Sequence, residues 1–181
     1  LETDSGRSTA DRTTAIFDPA SRGLIELVQT GDIRFNQGDR KGTADRVEVS
    51  SSGERILLQG RPVVSDDRFR VEADTITLDQ TKQFFTAVGN ARTVSLDPAD
   101  PILIVGGKAE GNGEKIVYSD LAELWREQIH VRAQTIEIFS EERRFVAEGE
   151  IDSTVEEFRA RSDRLEFSER TGIVHYVGNV H

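Results

Sequence analysis

Few residues in this chain are of a type and spacing that could do chemistry. His130, His175 and His181 are its three histidines, and no two of them stand at a metal-ligand spacing. Carboxylates are plentiful, and the adjacent pairs Glu141-Glu142 and Glu156-Glu157 are the ones to weigh as general acid and base. Both fall in turn-like stretches, where a solvated surface accounts for them. Asp66-Asp67 has the oxygen chemistry of a calcium ligand, but a turn explains it equally well. There is no Gly-x-Ser-x-Gly elbow, no phosphate loop and no dinucleotide fingerprint. With no cysteine there is neither thiol chemistry nor a disulfide. Trp125, the sole tryptophan, is assigned to core packing or an edge contact. The expectation is a protein that is not an enzyme, with no catalytic residue, no metal site and no cofactor.

The elements around these residues repeat. Residues 71–92 read as a strand, a polar turn Asp79-Gln80-Thr81-Lys82 and a return strand through Phe84, Phe85 and Val88 to Gly89. Ala44-Asp45-Arg46-Val47-Glu48-Val49, Ala133-Gln134-Thr135-Ile136-Glu137-Ile138 and Ser162-Asp163-Arg164-Leu165-Glu166-Phe167 stand where Ala73-Asp74-Thr75-Ile76-Thr77-Leu78 stands. From Ala44 to Gly60, Ala73 to Gly89, Ala133 to Gly149 and Ser162 to Gly178 the step is 16 residues each time. A further 13 separate Gly31 from Ala44, Gly60 from Ala73 and Gly149 from Ser162, so the unit is 16 + 13 = 29 residues. This is an internal repeat of paired strands.

Aligned copies show which positions face inward. Leu27, Ile56, Phe85, Phe145 and Val174 stand four before the glycine, and Ile33, Pro62, Ala91, Ile151 and Val180 stand two after it. Arg61, Asn90, Arg92, Glu148, Glu150 and Asn179 fall between them and face water, so a period of two runs through the glycine. Within each copy's other half the parity slips, and a bulge or bend near Asp45, Asp74, Gln134 and Asp163 restores a single face. Each glycine is read as a place where the strand bends or another backbone comes close. Residues 96–113, with Pro98, Pro101 and four glycines, break the repeat and read as a loop or irregular strand; 119–126 reads as a strand or loop.

The fold class is therefore all-β, with bent antiparallel strand repeats forming either a sandwich or an open-ended twisted β-jelly roll, a trough, toward which the repeat leans. Residues 1–14 form a polar, flexible N-terminal segment with order beginning near Ala15, and 15–181 a single domain. A terminal strand with a free edge would pair with a second copy or a similar protein. The net charge of −10, with no clustered Lys or Arg, argues against nucleic acid. Apolar runs of four or five residues, such as 102–105, are far short of the ~20 a membrane helix needs, so a soluble chain is expected. It begins at Leu1, and an upstream segment removed beforehand is expected.

The series Gly31-Asp32-Ile33-Arg34-Phe35-Asn36-Gln37-Gly38, Ala44-Asp45-Arg46-Val47-Glu48-Val49 and Gly60-Arg61-Pro62-Val63-Val64, with later Gly89-Asn90-Ala91 and Gly178-Asn179-Val180, resembles the OstA-like, LptA-type family of lipopolysaccharide transport domains. The resemblance covers roughly residues 15 to 181 and implies a β-jelly-roll trough in a Gram-negative periplasm. It implies a bridge or chaperone that shields lipopolysaccharide acyl chains between inner and outer membrane. Strand pairing with related jelly-roll proteins, and end-to-end homo-oligomers, are the implied partnerships. On that footing Ile56, Leu58, Ile76, Leu78, Phe85, Ile116, Ile136, Ile138, Phe145 and Leu165 are expected to line the trough. The other reading of the same columns is a filled core, in a structural or adhesive β-repeat protein.

Overall fold

A strand that must serve two sheets has to bend, and the glycines are where this chain does so. In the computed structural model, which describes residues 2–3, 6–50 and 53–181, the described chain forms eighteen strands and no helix. It divides into two compact units, Leu1–Gly89 and Asn90–His181.

The first unit holds β1 (Glu2–Thr3), β2 (Gly6–Thr9), β3 (Arg12–Phe17), β4 (Leu24–Gln37), β5 (Arg40–Ser50), β6 (Arg55–Gln59), β7 (Val63–Ser65), β8 (Phe69–Glu72), β9 (Thr75–Asp79) and the start of β10 (Phe84–Ser95). β4 and β5 pair from Glu26 with Ser50 to Gln37 with Arg40, with a register shift between Thr30 and Ile33. On one side of the shift the sheet runs β3, β4, β5, β6, β9 and β10. On the other it runs β2, β4, β5, β7 and β8. The same long strands thus pass from one layer into the other.

The second unit repeats the scheme with the remainder of β10, β11 (Ile102–Gly111), β12 (Lys115–Ser119), β13 (Ala122–Arg126), β14 (Ile129–Ala133), β15 (Thr135–Phe139), β16 (Arg144–Val155), β17 (Phe158–Ser168) and β18 (Ile173–Val177). One layer is β11, β12, β15, β16, β17 and β18. The other is β11, β13, β14, β16 and β17.

Each bend is a bulge of one design. Gly149 and Glu150, at φ +82° and +48°, stand opposite the single residue Asp163, because Glu148 pairs with Arg164 and Ile151 with Ser162. Two left-handed residues in a row turn the strand sharply, and the first is glycine for a reason beyond φ. A Cβ on Gly149 would lie 2.6 Å from Gln134 Cγ, and one on Gly60 would run into the Asp45 carboxylate. The expected bends near Asp45, Asp74, Gln134 and Asp163 are found, and the close neighbour is that residue's own side chain. The 16-residue spacing follows, since the Asp or Gln must reach the glycine across one hairpin.

Some expectations change. Strand pairing begins ahead of Ala15: Arg7, Ser8 and Thr9 pair with β4, and Arg12 and Thr13 start β3. Thr9, Thr13 and Thr14 are β-branched and favour the extended backbone that a long neighbouring strand can pair with, polar though they are. Residues 102–111 form the regular ten-residue β11 behind a turn at 96–101. Asp120 and Leu121, at φ +61° and +65°, make the tight turn that leads into β13. Val180 is 52% exposed, unlike Ile33, Pro62, Ala91 and Ile151, which are buried; only the backbone of His181 is held, by Arg161. Ser51 and Ser52 of the turn before β6 lie outside the described residues.

Candidate functional site

The register sorts the inward side chains into rows that run across the strands. In the first unit Gln29, Val47, Leu58, Ile76 and Ala87 are cross-strand neighbours in turn. All are buried, at 6% exposure or less. Two residues further from the bend, Leu27, Val49, Ile56, Leu78 and Phe85 form a second row on the same face. Every member of this distal row is only half-buried.

The second unit matches it. Ala109, Tyr118, Ile136, Ala147, Leu165 and Tyr176 make the row near the bend. Ile116, Ile138, Phe145, Phe167 and Val174 make the distal row. There Phe145 is buried against Phe167, ring centres 5.4 Å apart, and the others are half-buried.

The ten expected lining residues therefore share the inner face of their own layer, five in each unit, but divide by depth. Leu58, Ile76, Ile136 and Leu165 are sealed beside the bend. Ile56, Leu78, Phe85, Ile116, Ile138 and Phe145 stand in the distal rows. Val49 and Phe167 belong with them and were not among the ten. Their signal was the repeat itself, which sets them in the column of Leu78 and Ile138.

Polar ties cross between the facing layers of the second unit. Tyr118 donates its hydroxyl to Thr93 Oγ1 at 2.8 Å, and Tyr176 meets Ser153 Oγ at 3.1 Å. Burial pushes the Tyr118 phenol up to about 12, with the bond to Thr93 opposing. Farther out, Arg126 takes the place of an apolar residue in the row Ile102, Arg126, Ile129, Val155, Phe158. Its guanidinium forks onto Asp100, Nε to Oδ1 at 2.8 Å and Nη2 to Oδ2 at 3.0 Å, while Nη1 donates to Glu169 Oε1 in the opposite layer. Arg143 Nε donates to Glu169 Oε2 at 3.0 Å. Burial alone would raise the Glu169 carboxyl; Arg126 and then Arg143 hold it below the usual carboxylate range.

The groups weighed first for chemistry sit elsewhere. His130 stacks on Trp125, centroids 4.9 Å apart, with Nε2 3.1 Å from Glu123 Oε2. Trp125 is thus half-buried on the outer face rather than in the core. His175 and His181 are exposed, as are Glu141, Glu142, Glu156 and Glu157. Asp66 Oδ1 accepts from the amides of Arg68 and Phe69, both at 2.8 Å, and so closes a turn. Among the described residues no group of three or more metal-ligating side chains converges, and no helix is long and apolar enough to cross a membrane.

Bulged antiparallel hairpins that turn successive apolar rows to one inner face define a class of bent β-repeat protein. Comparison places the chain more closely. Residues 4–84 match the family model described as LptA/(LptD N-terminal domain) LPS transport protein. The LptA-type resemblance read from the sequence is thereby borne out. Among solved structures, the chain is similar to LptH, the LptA-homologous periplasmic component of the lipopolysaccharide transport device of Pseudomonas aeruginosa. The identity is 19%, over 74% of this chain and 75% of that one, with a TM-score of 0.35. No curated protein matches.

Proposed function

We propose that the chain is a periplasmic carrier or bridge of lipopolysaccharide transport, which shelters acyl chains against the distal rows of its inner faces. One observation carries this reading: behind each distal row lies a row that is sealed save at Tyr176, yet the distal rows themselves, large and apolar, are left half-buried at every position but Phe145. A core that simply filled itself would have no reason to stop there. Each CH₂ taken from water is worth ~0.8 kcal/mol, so a twelve-carbon chain offers up to roughly 9 kcal/mol before ordering costs. Such a carrier needs no reacting group. The family described for residues 4–84 supports lipopolysaccharide as the cargo and other transport proteins of the same fold as partners. Pairing of free strand edges, between copies or with those partners, would extend the apolar rows from one molecule to the next.

The sealed rows near the bends favour a second reading, a structural or adhesive repeat protein whose interior is closed. Titration with a fluorescent dodecanoate, followed by displacement with purified lipopolysaccharide, separates the two. Uptake reversed by lipopolysaccharide is expected of the carrier. A protein that excludes the probe at every concentration below the probe's micelle threshold is not a carrier.

A further inference from the structure

We infer that Arg126 and Glu169 form a latch across the mouth of the second unit, which has to open for an acyl chain to enter or leave sideways. This rests on the carrier reading above. The position is the first support. Arg126 stands in the distal row of one layer, between Ile102 and Ile129. Glu169 follows the last residue of β17, two past Phe167 in the distal row of the other layer. A bond between them therefore spans the opening over Ile116, Ile138 and Phe167.

The wiring of the cluster is the second. Asp100 grips Arg126 from its own layer, in the turn that leads to β11, whose Ile102 pairs with Arg126. Arg143 grips Glu169 from the other, where the Glu169 amide also donates to the Arg143 carbonyl at 2.9 Å. When the cross-bond parts, neither charge is stranded, because each half keeps its own partner. Ordinarily, breaking a part-buried ion pair is costly because one charge is left alone. Here opening loses a single charge-assisted hydrogen bond, in a place water can reach: the two side chains are 14% and 22% exposed. An apolar side chain at 126 would hold the layers together at least as firmly, but could not release them into water. What the ion pair supplies is a closure that can be undone.

The chain has no cysteine of its own, so Arg126→Cys with Glu169→Cys can be joined by a thiol cross-linker that contains a cleavable disulfide. The rate of fluorescent dodecanoate uptake is then followed by stopped flow, before and after reduction of the same sample. The joined protein should fill at least about tenfold more slowly than the cleaved one, and cleavage should restore the rate. Glu169→Gln, checked for an unchanged circular dichroism spectrum, should fill about tenfold faster than the unaltered protein, the worth of one charge-assisted hydrogen bond. Equal rates for joined and cleaved protein, with uptake intact, would overturn the latch and leave the carrier standing. Failure of every form, the unaltered protein included, to take up the probe would overturn both.

Discussion

Ile136 and Ile138 lie two residues apart on β15 and point to the same inner face, one in the sealed row and one in the distal row. Replacing each by Asp should therefore give opposite phenotypes. Ile136 is 0% exposed, so its replacement removes about 1.5–3 kcal/mol of apolar burial. It also strands a carboxylate with no partner, a penalty of several kcal/mol more. The sum reaches the whole stability of an ordinary domain, about 5–15 kcal/mol, and Ile136→Asp should not fold. Ile138 is half-buried beside Phe145 and Ile116. A carboxylate there turns to water, and the cost is about half of one side chain's burial, on the order of 1 kcal/mol. The acyl chain, however, would lose a contact and face a charge. A penalty of about 2 kcal/mol weakens binding roughly thirtyfold. Urea unfolding followed by circular dichroism reads the first effect, and dodecanoate titration the second. An Ile138→Asp protein that folds and binds within about twofold of the unaltered one would refute the assignment of the distal row, since twofold is under 0.5 kcal/mol.

Other consequences can be checked separately. Tyr118 is neutral in the folded protein up to about 12, against 10.0 when unfolded, so stability is undiminished below pH 10 and falls as pH rises from 10 through 12. The loss, about 2–3 kcal/mol, should vanish in Tyr118→Phe; melting curves at pH 9 and 11.5 that shift equally in both proteins would contradict it. Glu169 has its folded value held below an unfolded 4.5, so its contribution is whole above pH 4.5 and drains away as pH falls through the lower folded value. Acid unfolding of Glu169→Gln should accordingly be flatter in that window, and identical acid profiles would remove the basis for it. Gly149→Ala should cost about 2–5 kcal/mol, from left-handed φ and from overlap with Gln134. A double-mutant cycle with Gln134→Gly should recover the overlap part alone, and a coupling near zero would mean that Gln134 does not hold the bend. Light scattering over a concentration series should show growth that stops when β18 is deleted; a monomer throughout would refute edge pairing.

The bends were legible because each is written twice, as a glycine and as the Asp or Gln that covers it. Spacing alone located both, at Gly60 with Asp45 and at Gly149 with Gln134. The inner face was legible for the same reason, as period-two patterning passes through the glycine from Phe145 to Ile151. What the pattern did not contain was depth. Leu58 and Ile56 occupy equivalent steps of one alternation, yet only Leu58 is sealed. Distance from the bend decides this, and no property of a single residue reports it. The latch was hidden differently. Arg126 fell in a stretch read as strand or loop, Asp100 in the segment that breaks the repeat, and Glu169 just past the aligned run Ser162 to Phe167. Their meeting depends on two layers lying face to face, which a linear repeat does not express.

Depth also explains the chemistry of the cross-layer ties in the second unit. At the bend the layers are joined covalently, and side chains as small as Ala122 and Ala133 are sealed there. A step outward, the gap is closed by the longer reach of Tyr118 to Thr93 and Tyr176 to Ser153. At the mouth two extended charged side chains meeting tip to tip, Arg126 and Glu169, span it. Apolar contact alone closes an opening of that width only by filling it, which would occupy the space over Ile138 and Phe167. A long, polar, water-exchangeable tie crosses the same gap without filling it, which is what the proposed carrier requires of its distal row.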